Sequence, residues 1–354
     1  MRIAVIANTS WYVWNFRSNL LAALAAKGHE TIVIAPPDEY SSRIVAAGHA
    51  FEPVPMSAGG MNPLVESVVV ARLLRALRRR RVEVVLSNTP KGNLYGGIAS
   101  MIAGLHFVPN VSGLGRVFVR ATPLTAMVKL AYRIVFARAR RIMFQNREDM
   151  RHFIDVGIVR SELSERIPGS GVDLQRFVRL PLPSQDGAPV TFLMSCRMLW
   201  QKGVREYVEA ARIVRARLPG VRFKLLGPLS PDNPGRVPAE AISAWQEQGI
   251  VSYLGATDDV RPFIAAADCA VLPSYYGEGV PRTLLEAAAM GRPVITTDRP
   301  GCRDTVDDGK TGYLVQREDA KDLAEKMLRF ATLDNDARQR MALAARVKIE
   351  REFR

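Results

Sequence analysis

The chain has 354 residues, of which 48% are hydrophobic, so it is long enough for two domains with substantial cores. Its three cysteines have no paired spacing, which excludes a disulfide framework and a zinc cage and favours a reducing compartment. The first 180 residues carry 24 Lys and Arg against 12 Asp and Glu, whereas the remainder is close to neutral, so a large anionic partner is expected to meet the first half only.

The N-terminal residues 1–7 predict a strand rather than a signal peptide. No uninterrupted apolar run approaches the roughly 20 residues that a bilayer-spanning helix needs. We therefore expect a protein that is soluble or held peripherally at a membrane.

The pattern of apolar residues predicts alternating strands and helices along the first half. Strands are predicted at residues 3–7, 31–35, 82–86, 107–111 and 141–145. Helices are predicted at residues 18–27, 64–81, 94–103 and 123–141. Strands that are apolar throughout and alternate with helices indicate a parallel, doubly wound sheet.

The same pattern restarts after a segment rich in proline and polar residues at 179–189, which reads as a linker. Strands are predicted at residues 190–195, 222–226, 251–254, 269–273 and 294–297, and helices at 203–217, 238–249, 260–267 and 281–290. The sequence thus predicts an α/β protein of two doubly wound, Rossmann-like domains, 1–180 and 181–354, facing a cleft. Ligands of such folds bind outside the carboxyl ends of the strands.

Two predicted helices of the first half combine basic and apolar residues. The helix at 64–81 ends in arginines, and the helix at 123–141 interleaves Lys129, Arg133 and Arg138 with aliphatic and aromatic residues. This pattern suits an anionic bilayer surface. Nucleic acid is a rival partner, but no helix-turn-helix, zinc finger or RNP-like motif supports it. A merely solvated basic face remains the alternative.

Two carboxylates, Glu278 and Glu286, lie eight residues apart in the second half. Glu278 lies in a glycine-flanked loop, and Glu286 lies within a helix that Pro281 starts and Gly291 ends. The start of a helix presents unpaired amide groups that attract phosphate. The combination predicts a sugar-nucleotide site, whereas the alternative is an amphipathic helix with one solvated glutamate.

Arg197 and Lys202 directly follow the first predicted strand of the second half, where a doubly wound sheet places phosphate. Arginine can hold two phosphate oxygens, and lysine adds a point charge. A pair of exposed surface cations is the alternative interpretation.

In their order and spacing these motifs resemble retaining glycosyltransferases of the GT-B fold, family 4. The matching segments are Arg197-x4-Lys202-Gly203, Glu278-x7-Glu286, Gly169–Asp173 and Asp307–Val315. The resemblance implies that Glu278, Arg197 and Lys202 are catalytic. It also implies a donor site without a metal or other cofactor, formed by Glu286, the amides of Thr283 and Leu284, Gly279, Gly227 and Val260.

A narrower resemblance concerns the first half. Its segments 14–17, 88–93 and 111–118 resemble bacterial enzymes that extend undecaprenyl-diphosphate-linked sugars with N-acetylhexosamine. This implies an acceptor site that includes Arg17, Lys91, Gly113 and Arg116. The alternative for the three cations is solvation in loops. Family members also have a last helix that crosses back onto the first domain, and we expect that helix to be missing here.

The resemblance therefore implies a hexosyltransferase that moves a sugar from a UDP-sugar to a polyprenyl-diphosphate-linked saccharide with retention, for cell-surface glycan synthesis. Such an enzyme would act at the cytoplasmic, inner face of the cell membrane and would bind no nucleic acid. A nucleotide-sugar epimerase on the same fold is one alternative, since epimerases share the two-sheet architecture. A non-catalytic binder of anionic membranes is the other.

Overall fold

The computed structural model describes residues 1–56, 63–113, 123–183, 188–230 and 233–354. Over these residues the chain forms two compact units, Met1–Ser170 and Gly171–Arg354. Each unit is built on its own parallel sheet with helices, as the alternating apolar strands predicted.

The sheet of the first unit contains seven strands among the described residues. They are β1 (Arg2–Ile6), β2 (Glu30–Ala35), β3 (Ala50–Pro53), β4 (Val84–Asn88), β5 (His106–Val111), β6 (Ile142–Phe144) and β7 (Ser164–Arg166). Their order is β3-β2-β1-β4-β5-β6-β7, and all neighbours run parallel. The strand order reverses between β1 and β4, so the carboxyl end of β4 lies where such sheets bind ligands.

The helices of the first unit connect these strands. They are α1 (Ser10–Ala26), α2 (Tyr40–Ala46), α3 (Pro63–Arg79), α4 (Pro90–Ala103), α5 (Pro123–Phe136) and α6 (Arg147–Asp155). Helix α4 packs closely at Gly97, where an added Cβ would lie 2.1 Å from Val135 Cγ1 and 2.9 Å from the Phe107 ring. Only glycine lets α4 approach the sheet and α5 at this depth.

The second unit repeats the arrangement with six strands among its described residues. They are β8 (Thr191–Ser195), β9 (Arg222–Leu226), β10 (Ser252–Tyr253), β11 (Cys269–Leu272), β12 (Val294–Thr297) and β13 (Gly312–Val315), in the order β10-β9-β8-β11-β12-β13. The helices are α7 (Val204–Arg217), α8 (Ala239–Glu247), α9 (Arg261–Ala265), α10 (Arg282–Ala289), α11 (Ala320–Ala331) and α12 (Asn335–Glu352). Here the order reverses between β8 and β11.

Several boundaries differ from the prediction. The units divide at Ser170, not at residue 180, because Val172 and Phe177 are buried in the core of the second unit. Helix α1 starts at Ser10, not at 18, since the Thr9 side chain accepts a hydrogen bond from the Tyr12 amide at 3.1 Å. Helix α5 ends at Phe136, five residues before the predicted end at 141. The short elements α2, β3, α6 and β7 were not predicted.

Hydrogen bonds from Arg346 join the last helix, α12, to the rest of the second unit. The Arg346 Nη1 atom donates to the carbonyl oxygens of Phe177, at 2.8 Å, and Ala289, at 2.6 Å. Ala289 is the last residue of α10, so Arg346 satisfies a carbonyl that the helix itself leaves unpaired. No helix in the described part of the chain is both long and apolar enough to cross a bilayer.

Arg292 is the largest fully buried side chain of the second unit. Its guanidinium donates to the carbonyls of Ile264 at 2.9 Å, Leu180 at 2.8 Å and Ala265 at 2.9 Å. Two of these carbonyls lie at the end of α9. Burial lowers the pKa of the Arg292 guanidinium to about 10, which still leaves it charged at neutral pH. Arg292 therefore joins α9 to the segment before β8.

We expect Arg292→Met to lower the free energy of unfolding by about 3 kcal/mol, because it removes three buried hydrogen bonds and leaves the carbonyls of Leu180 and Ala265 without their side-chain donor. Urea denaturation measures the change. Arg217→Met, at an exposed position on α7, is the matched control and should change stability by less than about 0.5 kcal/mol. Equal effects of the two substitutions would contradict the structural role of Arg292.

Candidate active site

The loops that follow β8 and β11 are held together by their main chains. Gly203 has φ +83°, and a Cβ there would lie 2.2 Å from the carbonyl oxygen of Pro273. The carbonyl of Gln201 accepts hydrogen bonds from the amides of Tyr275 and Tyr276, both at 3.1 Å. A glycine is thus required where the two loops cross. Their contact fixes Lys202 opposite the loop that contains Glu278.

Lys202 and Glu278 form an ion pair between Nζ and Oε1. The Ser274 hydroxyl lies 2.9 Å from the same Oε1 and 3.2 Å from the Gln201 carbonyl oxygen. The side chains of Lys202 and Glu278 are only 13% and 12% exposed, so solvent screens the pair weakly. The structure therefore brings two predicted catalytic residues into direct contact.

Arg197, the third predicted catalytic residue, lies exposed beyond the end of β8 and makes no side-chain hydrogen bond or ion pair within the described ranges. The charge of Arg197 acts on the pKa of the neighbouring Cys196 thiol. Burial raises the pKa of the Cys196 thiol to about 12, and the positive charges of Lys202 and Arg197 act in the opposite direction. Arg197 and Lys202 therefore place two cations around one point, the carboxyl end of β8.

The loops after β9 and β10 lie against the same end of the sheet. Gly227 has φ +137°, and a Cβ there would lie 1.9 Å from the Cys196 carbonyl oxygen. The Gly227 amide donates to the Gly255 carbonyl at 2.8 Å. Val260, just before α9, is half-buried against the core. The predicted donor residues Gly227 and Val260 thus lie on loops at the carboxyl edge that also positions Arg197.

The start of α10 differs in part from the expectation. Pro281 caps the helix rather than opening it, and Arg282 is the first helical residue. The amide of Thr283 has no backbone acceptor among the described residues, as a phosphate site requires. The Leu284 amide, however, already donates to the Pro281 carbonyl at 3.1 Å. The Leu284 amide thus has a main-chain acceptor in the first turn of α10, and its contact with a phosphate stays a prediction.

The loop before α10 is pressed against a second loop by backbone contact. A Cβ on Gly301 would lie 1.4 Å from the carbonyl oxygen of Gly279. Gly279, a predicted donor residue, is buried beneath this contact. This contact fixes the main chain of Gly279. It thereby positions the preceding residue, Glu278, for its ion pair with Lys202.

Glu286 lies one turn into α10 and pairs with Arg282, whose Nε is 2.8 Å from Oε1. Burial raises the pKa of the Glu286 carboxyl, and the charges of Arg282 and Arg176 oppose the rise. The pair has the i,i+4 spacing that brings side chains together on a helix. Arg282 holds one carboxylate oxygen and thereby orients the other.

In the first unit, Arg17 is not a loop cation. It lies within α1 and is only 5% exposed. Its Nε donates to Asn88 Oδ1 at 2.8 Å, and its Nη2 to the Tyr12 hydroxyl at 3.0 Å. These partners are neutral, and no ion pair of Arg17 is found among the described residues. A buried positive charge therefore lies beside the carboxyl end of β4.

The other predicted acceptor residues have different surroundings. Lys91 lies in the first turn of α4 and pairs with Glu66 of α3, with Nζ 2.5 Å from Oε1. Glu66 offsets the unfavourable placement of a cation at a helix start. Gly113 follows β5 and lines a small cavity with Thr89. Arg116 lies outside the described residues.

Sequence reasoning missed three residues of this site. Arg282 could have been found, since Arg282-x3-Glu286 has a recognisable helical spacing. Ser274 gave no such signal because it lies in a loop, where a spacing of four residues from Glu278 predicts no contact. Gly301 gave none because its neighbour Gly279 is distant in sequence. In the described part of the chain, no cluster of three or more His, Cys, Asp or Glu side chains is arranged to hold a metal ion.

Two family models match the chain. Residues 13–169 match a glycosyl transferase 4-like domain, and residues 189–332 match glycosyl transferases group 1. Among curated proteins, the chain is 27% identical to the N,N'-diacetylbacillosaminyl-diphospho-undecaprenol alpha-1,3-N-acetylgalactosaminyltransferase of Campylobacter jejuni, over 97% of this chain and 92% of the relative. It is also 30% identical to a colanic acid biosynthesis glycosyltransferase, WcaL, of Salmonella typhimurium, over 52% and 46%.

Solved structures share the fold over the whole chain. HepE from Anabaena, in complex with UDP, has a TM-score of 0.78 at 19% identity and matches 100% of this chain and 96% of its own. Sucrose-phosphate synthase from Thermosynechococcus elongatus has a TM-score of 0.78 at 18% identity, with 100% and 95% matched. The predicted GT-B fold is thus confirmed. Since the two family models together cover most of its length, the chain belongs to the group 1, family 4 glycosyltransferases.

Proposed function

We propose that the protein transfers a sugar, with N-acetylhexosamine as the favoured case, from a UDP-sugar to a polyprenyl-diphosphate-linked saccharide, with retention at the anomeric carbon. The observation that carries the proposal is the group formed by Lys202, Glu278 and Arg197 at the carboxyl ends of β8 and β11. The relative from C. jejuni, which aligns along 97% of the chain, is named for such a reaction on an undecaprenol-linked substrate.

The charges of the second unit suit a nucleotide diphosphate. Arg197 and Lys202 supply two cations, and the amide of Thr283 points from the start of α10. Lys202 is paired with Glu278, so a phosphate oxygen must compete with that carboxylate for the lysine. When Lys202 turns to the phosphate, Glu278 keeps its contact with Ser274 and becomes available to a sugar hydroxyl.

The proposed reaction breaks the bond between the anomeric carbon and the diphosphate oxygen, and the electron pair leaves with UDP. Arg197, Lys202 and the helix start stabilise the charge that develops on the phosphate, an effect that is strong in a preorganised, weakly solvated site. The acceptor hydroxyl forms the new bond from the same face and gives its proton to the departing phosphate. Glu278 orients the sugar rather than attacking it. We infer that this chemistry needs no metal cofactor.

The first unit is proposed to bind the acceptor. Arg17 contributes a buried positive charge at the carboxyl end of β4, which favours an anionic or strongly polar ligand nearby. Lys91 is already paired with Glu66, so it would contribute as one member of an ion pair rather than as an open cation. Gly113 would contribute backbone at the adjacent strand end. Arg116 keeps its predicted role on sequence grounds alone.

Two exposed surfaces of the first unit support a peripheral membrane position. Helix α5 exposes Met127, Leu130 and Ile134, a single stripe at spacings of three and four residues, next to Lys129 and Arg133. Helix α3 likewise exposes apolar residues in its first turns and arginines further along: Leu64, Val65, Val68, Arg72 and Arg75. Apolar residues followed by cations suit the acyl and headgroup layers of an anionic bilayer. We propose attachment at the inner face of the cell membrane.

Transfer itself is tested with UDP-N-acetylglucosamine or UDP-N-acetylgalactosamine and a short prenyl-diphosphate-linked sugar. We expect an α-linked product by NMR, and turnover that survives EDTA. Lys202→Met should lower the donor kcat/KM about 10²–10³-fold, because one stabilising cation is lost.

Lys321→Met, at an exposed position on α11, is the control for Lys202→Met and should retain full activity. An inverted linkage, loss of turnover on chelation, or unchanged turnover in Lys202→Met would each contradict the proposal. Formation of an epimer from the donor alone would indicate an epimerase instead.

Donor affinity should depend on pH through Glu286. Burial raises the pKa of this carboxyl above its ordinary value of 4.5, so it takes up a proton at a higher pH than most glutamates do. A protonated carboxyl accepts ribose hydroxyls poorly, so the dissociation constant of UDP-N-acetylglucosamine should rise as the pH falls from 7 towards 4.5. Calorimetry measures it. Glu286→Gln should bind more weakly and with a flatter pH profile, and an unchanged profile in that variant would refute the assignment.

Vesicle flotation tests the membrane surface. Leu130→Ser with Ile134→Ser removes two residues of α5 that are more than half exposed, and should reduce binding to anionic vesicles several-fold because apolar contact area is lost. Leu343→Ser with Val347→Ser, an exposed apolar pair at the same spacing on α12, is the matched control. Binding should also fall with added salt. If both double variants bind alike, α5 is not the contact surface.

A further inference from the structure

Thr89, between β4 and α4, has a backbone conformation that threonine rarely adopts. Its φ is +67° and its ψ is 153°, a region that is comfortable only for glycine. Thr89 is also β-branched, which makes a positive φ more costly still. A residue held in such a region costs about 1–3 kcal/mol and persists only where its surroundings impose it. The folded protein therefore tolerates a strained residue at the carboxyl end of β4.

The Thr89 hydroxyl is also unused. Thr89 is only 8% exposed, and its Oγ1 has no hydrogen-bond partner among the described residues. It occupies the cap position of α4, where a threonine hydroxyl ordinarily accepts a bond from the first turn, yet it makes no such bond. The hydroxyl nevertheless points over that turn, since a Cβ added to Gly92 would lie 3.3 Å from Oγ1. A buried, unpaired polar atom thus faces the start of a fourteen-residue helix.

A small cavity opens beside this hydroxyl. Thr89 lines it together with Asn93, Ser112 and Gly113, and its volume is about 10 Å³. That volume holds about one water molecule. The cavity therefore has room beside the Thr89 hydroxyl for one group of about the size of a water molecule or a hydroxyl.

The cavity is lined by polar residues and by apolar ones such as Val111 and Phe153, and the residue that precedes Thr89 belongs to a buried polar network. Asn88 Oδ1 accepts from the buried Arg17 at 2.8 Å and from Asn110 Nδ2 at 3.3 Å. Asn110 Oδ1, on the neighbouring strand, is buried and has no partner in the described ranges. The helix start adds a positive potential. Two buried polar atoms near the carboxyl ends of β4 and β5, Thr89 Oγ1 and Asn110 Oδ1, therefore lack a hydrogen-bond partner among the described residues.

We propose that Thr89 binds a hydroxyl group of the acceptor saccharide, with the hydroxyl oxygen seated in this cavity at the start of α4. The proposal rests on the proposed function, because it names the residue of the first unit that recognises the acceptor sugar. The strain of Thr89 and its unused hydroxyl are then features of a binding site that is complete only with its ligand. A glycine would relieve the strain but would remove the hydroxyl.

The test compares Thr89→Gly with Thr89→Ser, which keeps the hydroxyl. The probe is a water-soluble farnesyl-diphosphate-linked N-acetylhexosamine, and calorimetry measures its binding without requiring turnover. Thr89→Gly should melt at a higher temperature than the unmodified protein, because the positive φ no longer carries a penalty. The same variant should bind the probe about tenfold more weakly, the effect of one lost hydrogen bond. Thr89→Ser should bind it nearly as well as the unmodified protein.

Equal probe affinity in the Gly and Ser variants would overturn the proposal and would leave the cavity to a structural water. Failure of the unmodified protein to bind the probe would overturn it as well. Binding of UDP-N-acetylglucosamine should be the same in all three proteins, since Thr89 belongs to the first unit, and a parallel loss there would point to general misfolding and refute a specific role. Absence of sugar transfer by the unmodified protein, despite probe binding, would refute the proposed function and leave the Thr89 site standing.

Discussion

The ion pair between Lys202 and Glu278 is the interaction on which the second unit's site depends. Both groups are largely withdrawn from water, so each would be costly to leave without a partner. They satisfy one another, and Ser274 supports the carboxylate. Under the proposed function, a diphosphate would compete with Glu278 for Lys202. The proposed chemistry and the stability of the folded site therefore depend on the same two charges.

The charges are held in place by main-chain contacts. Gly203 meets Pro273, Gly227 meets Cys196, and Gly301 meets Gly279, each at a distance that leaves no room for a side chain. These contacts join loops from the carboxyl ends of different strands. Precision at the site thus comes from backbone packing, which is stiffer than contacts between long side chains.

Much of the fold and part of the site could be predicted from sequence. Apolar strands and regular helices have local sequence patterns, and the glycines that flank Glu278 and the proline and glycine that bound the helix of Glu286 place one carboxylate in a loop and the other on a helix. The partnership of Lys202 with Glu278 could not be predicted, because it joins residues 76 positions apart. Loop solvation, the alternative considered for Arg17, does not apply, because the cap at Thr9 starts α1 before this residue. The positive φ of Thr89 has no sequence signal, since glycine rather than threonine marks such a position.

Arg346 gives the last helix an influence beyond its own packing. By binding the carbonyls of Ala289 and Phe177, it anchors the rear of α10 while the front of that helix faces the proposed phosphates. Helix α10 has only eight residues, so its two ends are little more than two turns apart. A substitution at Arg346 is therefore expected to disturb the helix whose start carries the Thr283 amide, although Arg346 itself lies on α12.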